Sequence, residues 1–99
     1  MIKIIVAGAA GRMGCRLVSL IRDSTALTLA GALEGKGHPA VGEDAGETAA
    51  SGRADIPITD DLSLLMERGE VVIDFSAPSA TLEHMLTVAR HRRAMVIGT

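Results

Sequence analysis

A short apolar strand that runs straight into a glycine-spaced turn and then into an amphipathic helix leaves a chain few choices of fold. Residues Ile2 to Ala7 are almost entirely apolar and end at Gly8, the pattern of a strand buried on both faces of a parallel sheet. From Gly11 onward, Met13, Leu17, Leu20 and Ile21 recur at helical spacing, with Arg12, Arg16, Ser19 and Asp23 on the opposite face. Leu27 to Leu33 is a second apolar run, interrupted by Gly31 and ending at Glu34. Together these segments form a βαβ unit, whose parallel strands require a crossover helix.

The rest of the chain repeats the alternation. Residues 35–53 hold five glycines and little to bury, which predicts a loop with one helical turn near Asp44 to Ala49. Ile56 to Ile58 reads as a short strand, and Thr59, Asp60 and Asp61 offer oxygens to open a helix that Gly69 closes, with Leu62, Leu65 and Met66 as its buried stripe. Val71 to Phe75 is another strand. Ser76 and Pro78 announce a further helix, with Leu82, Met85, Leu86 and Ala89 as its expected core face, and Ala94 to Ile97 is the last strand. The predicted class is α/β: a Rossmann-like, doubly wound, mostly parallel sheet in a single domain over residues 1–99.

Composition narrows the function. Ten basic and twelve acidic residues give a net charge of -2, and Phe75 is the sole aromatic, so neither phosphate neutralisation nor base stacking supports a nucleic-acid partner. A single cysteine, Cys15, forms no internal disulfide, and no apolar run approaches the roughly 18 residues of a membrane helix. The expectation is a soluble, cytoplasmic protein. His38, His84 and His91 lack ligand spacing, so no metal is expected. Cys15 falls in the first turn of a helix, where it is either an activated thiol or a small buried residue. The Arg90-His91-Arg92-Arg93 cluster reads as helix C-terminal charge.

The chemistry lies in Gly8-Ala9-Ala10-Gly11-Arg12-Met13-Gly14, a G-x-x-G-x-x-G turn placed where backbone N–H groups meet a pyrophosphate. Ala10 stands where the commoner G-x-G-x-x-G form carries its second glycine. Glu34, 20 residues beyond Gly14 and at the tip of the second strand, is placed to accept the hydroxyls of an adenosine ribose. A carboxylate there favours NADH, while Arg12 and Lys36 stand near enough in sequence to leave NADPH open.

With Val6 to Gly14, Gly31-Ala32-Leu33-Glu34, Asp44-Ala45-Gly46-Glu47, Ile73-Asp74-Phe75-Ser76-Ala77-Pro78 and Met95-Val96-Ile97-Gly98-Thr99, the chain resembles the bacterial 4-hydroxy-tetrahydrodipicolinate reductase family along its whole length. The resemblance implies NADH- or NADPH-dependent reduction of a cyclic dicarboxylate in the diaminopimelate route to lysine. It implies that Gly8, Ala9, Ala10, Gly11, Arg12 and Met13 wrap the pyrophosphate, that Glu34 holds the ribose, that Phe75 and Ser76 line the cleft, and that Gly98 and Thr99 begin the loop beside the nicotinamide. Where the family carries an arginine for a 2′-phosphate, this chain has Gly35. The resemblance also implies that the catalytic and substrate-binding domain of a two-domain, tetrameric enzyme lies outside these residues, that no catalytic residue is among them, and that this piece alone is inactive. A stand-alone dinucleotide-binding or sensing module, or the cofactor domain of another amino-acid or semialdehyde dehydrogenase, gives similar signals.

Overall fold

The computed structural model describes residues 1–98. Strands β1 (Ile2–Ala7), β2 (Leu27–Leu33), β3 (Ile58–Thr59), β4 (Val71–Asp74) and β5 (Ala94–Ile97) form one sheet in the order β3-β2-β1-β4-β5. Every neighbouring pair is parallel, so the sheet is wholly rather than mostly parallel. Helices α1 (Arg12–Asp23), α2 (Ala45–Thr48) and α3 (Pro78–Arg90) cover it. The strand order changes direction at β1 and β4, and the crevice beyond their carboxyl ends is where open α/β sheets bind ligands.

The central strand shows why the first apolar run has no polar alternation. Ile4 and Val6 enter the cluster with Val18, Ile21 and Ala45 on the α1 and α2 side, whereas Ile5 and Ala7 enter the opposite cluster with Leu62, Leu65, Met66 and Val88. From Ile4 to Ala7, where the strand is filled on both faces, every position is apolar, while Lys3 falls at the exposed start. The interruption at Gly31 also has a cause: a Cβ there would stand 2.9 Å from Leu65 Cδ2.

Helix phase departs from the expected stripes in two places. In α1 the buried residues are Gly14, Val18 and Ile21, while Met13 and Leu20 lie outside. Gly14 seats against the Gly8 carbonyl, and this close approach rotates the helix away from the purely hydrophobic stripe. In α3 the buried residues are Thr81 and Val88, and the expected core residues Leu82, Met85, Leu86 and Ala89 are exposed, Leu82 by 64% and Leu86 by 66%. Here a polar tie decides. Asp74, fully buried at the end of β4, receives Thr81 Oγ1 at 3.2 Å and meets His84 Nδ1 at 2.6 Å, so positions 81, 84 and 88 face the sheet. The exposed leucines leave an apolar flank of the kind that drives association.

Two connections are shorter or later than expected. Pro57 has no N–H to offer a ladder, and β3 begins only at Ile58. The helix expected after Asp61 is a single 3-10 turn, Leu62–Leu65, capped by Asp61 on the Ser63 N–H. The segment must run back along the sheet to β4 in few residues, and a 3-10 turn advances about 2.0 Å per residue against about 1.5 Å in an α-helix. The expected stripe of Leu62, Leu65 and Met66 is nonetheless buried.

The glycine-rich segment between β2 and β3 is held by one carboxylate. Asp44 accepts the N–H groups of Glu47, Ala54 and Ile56 at 3.0, 2.8 and 2.9 Å, capping α2 and clasping the return of the loop. Desolvation pushes its carboxyl up, but the three N–H donors and nearby Arg53 outweigh that and hold it at about 2. A carboxyl depressed in the folded state stabilises at pH above its unfolded value, near 3.9, and ceases to do so as pH falls through the folded one. Asp44→Ala is therefore expected to cost about 2 kcal/mol at neutral pH. Urea unfolding of the two proteins checks this: the gap should narrow as pH falls from about 4 toward 2, and a pH-independent gap would count against the clasp.

Candidate nucleotide site

The sequence places the glycine turn and Glu34 far apart, and the fold brings them into hydrogen-bond contact. Gly8 leaves β1 with a φ of +80°, and its N–H and that of Ala9 both donate to the Leu33 carbonyl at the end of β2. Side by side, the two strand ends put Glu34 over the turn, where Oε2 accepts the Ala10 N–H at 2.8 Å and Oε1 the Gly35 N–H at 3.3 Å. Glu34 thus links the β2 tip to the glycine turn, with its carboxylate half-buried beside the cavity.

The N-terminus of α1 is open at this point. Gly11 is its cap, makes no side-chain hydrogen bond, and no acidic residue occupies the first turn. The first turn's N–H groups lack intrahelical acceptors, so this end carries partial positive charge directed at whatever lies above Gly11. Such an end suits a phosphate, and glycine leaves the approach unobstructed: a Cβ at Gly11 would meet only the Gly8 carbonyl oxygen, at 3.4 Å.

A cavity of about 350 Å³ lies alongside, bounded by Gly8, Gly11, Leu33, Glu34 and Gly35 on the β1 and β2 side. Its other wall is Phe75, Ser76, Ala77, Ala80 and His84, with His38 from the loop. Of the residues expected at the site, Gly8, Gly11, Glu34 and Ser76 line this cavity, as does Phe75. Ala10 reaches it through its bond to Glu34, whereas Ala9 is buried in the core and the Arg12 and Met13 side chains are exposed. Gly98 sits under the Phe75 ring, where a Cβ would lie 2.9 Å from Cδ1, and its N–H donates to the Asp74 carbonyl at 2.9 Å. Thr99 lies outside the described residues.

Two histidines at the cavity escaped the sequence reading, which weighed them only as metal ligands. His38 is ordered by its own loop, its Nδ1 accepting the Ala40 N–H at 3.0 Å. His84 was findable: with Pro78 at the first turn of α3, positions 81, 84 and 88 share a face, and Asp74 precedes them. Lys36, expected with Arg12 to offset the repulsion of a 2′-phosphate by Glu34, lines an adjacent groove with Asp60, Asp61, Glu83 and Arg90. Gly35 is exposed, and a Cβ built on it meets nothing within 4 Å. Cys15 is tied rather than activated: its Sγ donates to the Ala9 carbonyl, and burial, with the charge of Glu34, pushes the thiol pKa up. No group of acidic, histidine or cysteine side chains among the described residues is arranged to hold a metal.

Residues 2–99 match the family profile described as dihydrodipicolinate reductase, N-terminus. The chain belongs to the dihydrodipicolinate reductase family. Among its curated relatives, the 4-hydroxy-tetrahydrodipicolinate reductases of Syntrophus aciditrophicus and Psychrobacter arcticus are 42% and 48% identical over all 99 residues. The chain spans 37% and 36% of the length of those two reductases, little more than a third. The fold is that of a dipicolinate-bound dihydrodipicolinate reductase from Paenisporosarcina sp. TG-14, with a TM-score of 0.77 at 21% identity over the whole chain and 37% of that structure. An aspartate semialdehyde dehydrogenase with NADP from Candida albicans shares it too, with a TM-score of 0.79 at 15% identity over the whole chain and 30% of that structure. That second likeness is one of fold, whereas sequence ties this chain to the reductase family.

Proposed function

We propose that this chain is the dinucleotide-binding part of a reductase that converts 4-hydroxy-tetrahydrodipicolinate to tetrahydrodipicolinate in lysine and diaminopimelate biosynthesis. The observation that carries the reading is the Glu34 to Ala10 hydrogen bond, which sets a ribose-binding carboxylate against an uncapped helix N-terminus beside a cavity. In this reading the N–H groups of the Gly11–Met13 turn receive the pyrophosphate, and Glu34 receives the adenosine ribose hydroxyls. The walls at His38, Ala80 and His84 enclose the adenosine end. When bound, the nicotinamide supplies the hydride, and the chain's residues bind and orient its carrier.

NADH is the preferred cofactor on this reading. The Glu34 carboxylate repels a 2′-phosphate, Gly35 offers it no cation, and Lys36 lies in the adjacent groove, among Asp60, Asp61, Glu83 and Arg90, and not in the cavity that holds Glu34. Ser76, with Gly98 and Thr99, belongs to the nicotinamide side by the same reading. The cyclic dicarboxylate site, the catalytic residues and the surfaces of a homotetramer belong to the remainder of the full-length enzyme, which we place in the cytoplasm. No helix among the described residues is long and apolar enough to cross a membrane.

Calorimetric titration with NADH and NADPH tests the binding half: saturable binding, tighter for NADH, is expected. The same sample in a steady-state assay should oxidise no NADH in the presence of substrate. Turnover by these 99 residues alone would show that the chain already contains a dicarboxylate site and a proton donor.

A further inference from the structure

Asp74 is an expensive residue to bury. It is fully enclosed at the end of β4, and no lysine or arginine among the described residues pairs with it. Both of its oxygens are nonetheless engaged. Oδ1 accepts the Ser76 N–H at 2.7 Å and Thr81 Oγ1 at 3.2 Å, and Oδ2 stands 2.6 Å from His84 Nδ1. If the task were only to hold the β4–α3 turn, an asparagine carbonyl would accept from Ser76 and Thr81 without the cost of burying a charge. What asparagine cannot do is act as an acceptor on both sides. Burial pushes the Asp74 carboxyl up, but the bonds from His84 and Ser76, with the positive charge His84 carries when protonated, outweigh it and hold the group below the usual carboxylate range, ionised at neutral pH.

An ionised carboxylate only accepts hydrogen bonds, so a neutral His84 must carry its proton on Nδ1. Its Nε2 is then a lone-pair acceptor. That nitrogen makes no hydrogen bond to any described residue, and the ring lines the cavity beside Ala77 and Ala80. We propose that Asp74 is a positioning residue of the nucleotide pocket, fixing His84 as the Nδ1–H tautomer so that Nε2 accepts an N–H from the purine of a bound dinucleotide. The proposal rests on the reading of the cavity as a dinucleotide site and deepens it: the pocket selects an amino purine over one bearing a carbonyl at the same position.

Long-range ¹H–¹⁵N correlation of the histidine ring nitrogens in the free chain, recorded over a pH series that reaches the neutral imidazole, reads the tautomer without ligand. Nδ1–H is expected for His84 in the wild type and Nε2–H in Asp74→Asn, whose amide N–H now donates to Nδ1. Titration with NADH and its hypoxanthine analogue supplies the second reading. The wild type should prefer NADH by about tenfold, and Asp74→Asn should lose that preference while Thr81→Val, which removes another bond to Asp74, keeps it. An Nε2–H tautomer in the wild type, equal wild-type affinities, or a variant that weakens both ligands alike would overturn the proposal. If Asp74→Asn fails to fold, the wild-type tautomer and the wild-type ligand ratio still decide. Failure of the wild type to bind either ligand would bring down the dinucleotide reading, and the purine contact with it, whereas binding without discrimination would bring down this inference alone.

Discussion

Gly14→Ala is expected to lower the stability of the chain by about 3 kcal/mol or more, against a gain in helix propensity of about 1 kcal/mol. Gly14 is buried in the first turn of α1, and a methyl group there would overlap the Gly8 carbonyl oxygen and stand 2.8 Å from the Gly8 carbonyl carbon and 2.9 Å from Ala9 Cα. All of these are backbone atoms, and they cannot retreat. Gly8 is itself pressed against the next strand end, where its own Cβ would come within 3.0 Å of the Phe75 carbonyl group. The turn is therefore pinched between α1 and β4, and relief at one side tightens the other. Gly11→Ala is the control, because its Cβ would make ordinary contact at 3.4 Å. Urea unfolding midpoints separate the two. Equal midpoints for Gly14→Ala and the wild type would mean that the helix can lift from the turn at no cost.

The second large effect is on affinity. Glu34→Ala removes an acceptor from the Ala10 N–H and, on the proposed reading, from the ribose, so NADH affinity is expected to fall about 30-fold or more. NADPH affinity should fall less, because the same change removes a repulsive charge from the neighbourhood of a 2′-phosphate. The ratio of the two affinities therefore narrows. The carboxylate is only half-buried, and the fold should survive its loss with a midpoint close to that of the wild type. Unchanged NADH affinity by calorimetry would reduce Glu34 to a strut that holds the glycine turn.

What the chain alone made legible was local. β1, β2 and β5 declare themselves as apolar runs, and Ala94–Ile97 ends where expected. The glycine turn and Glu34 were legible for a similar reason, since each lies at the end of a recognisable strand. The rotation of α3 was not legible. Hydrophobic periodicity favours Leu82, Met85 and Leu86, but the bonds from Thr81 and His84 to Asp74 turn the helix the other way, and no count of apolar residues contains those bonds. The start of β3 followed from a missing N–H at Pro57, and the short turn after Asp61 from the distance the chain must cover. His38 and His84 join the cavity only because separate elements converge there.

The vacancy around Gly35 has a consequence for the history of such a chain. Position 35 projects into solvent at the rim of the cavity, its backbone φ lies outside the left-handed region, and nothing crowds its missing side chain. The clasp at Asp44 anchors the following loop independently of it. Almost any residue can therefore arise at this position without passing through an unstable intermediate. On the proposed reading, a single codon change here can set a cation beside a 2′-phosphate and move the preference between NADH and NADPH, while the packing of the fold is left as it was.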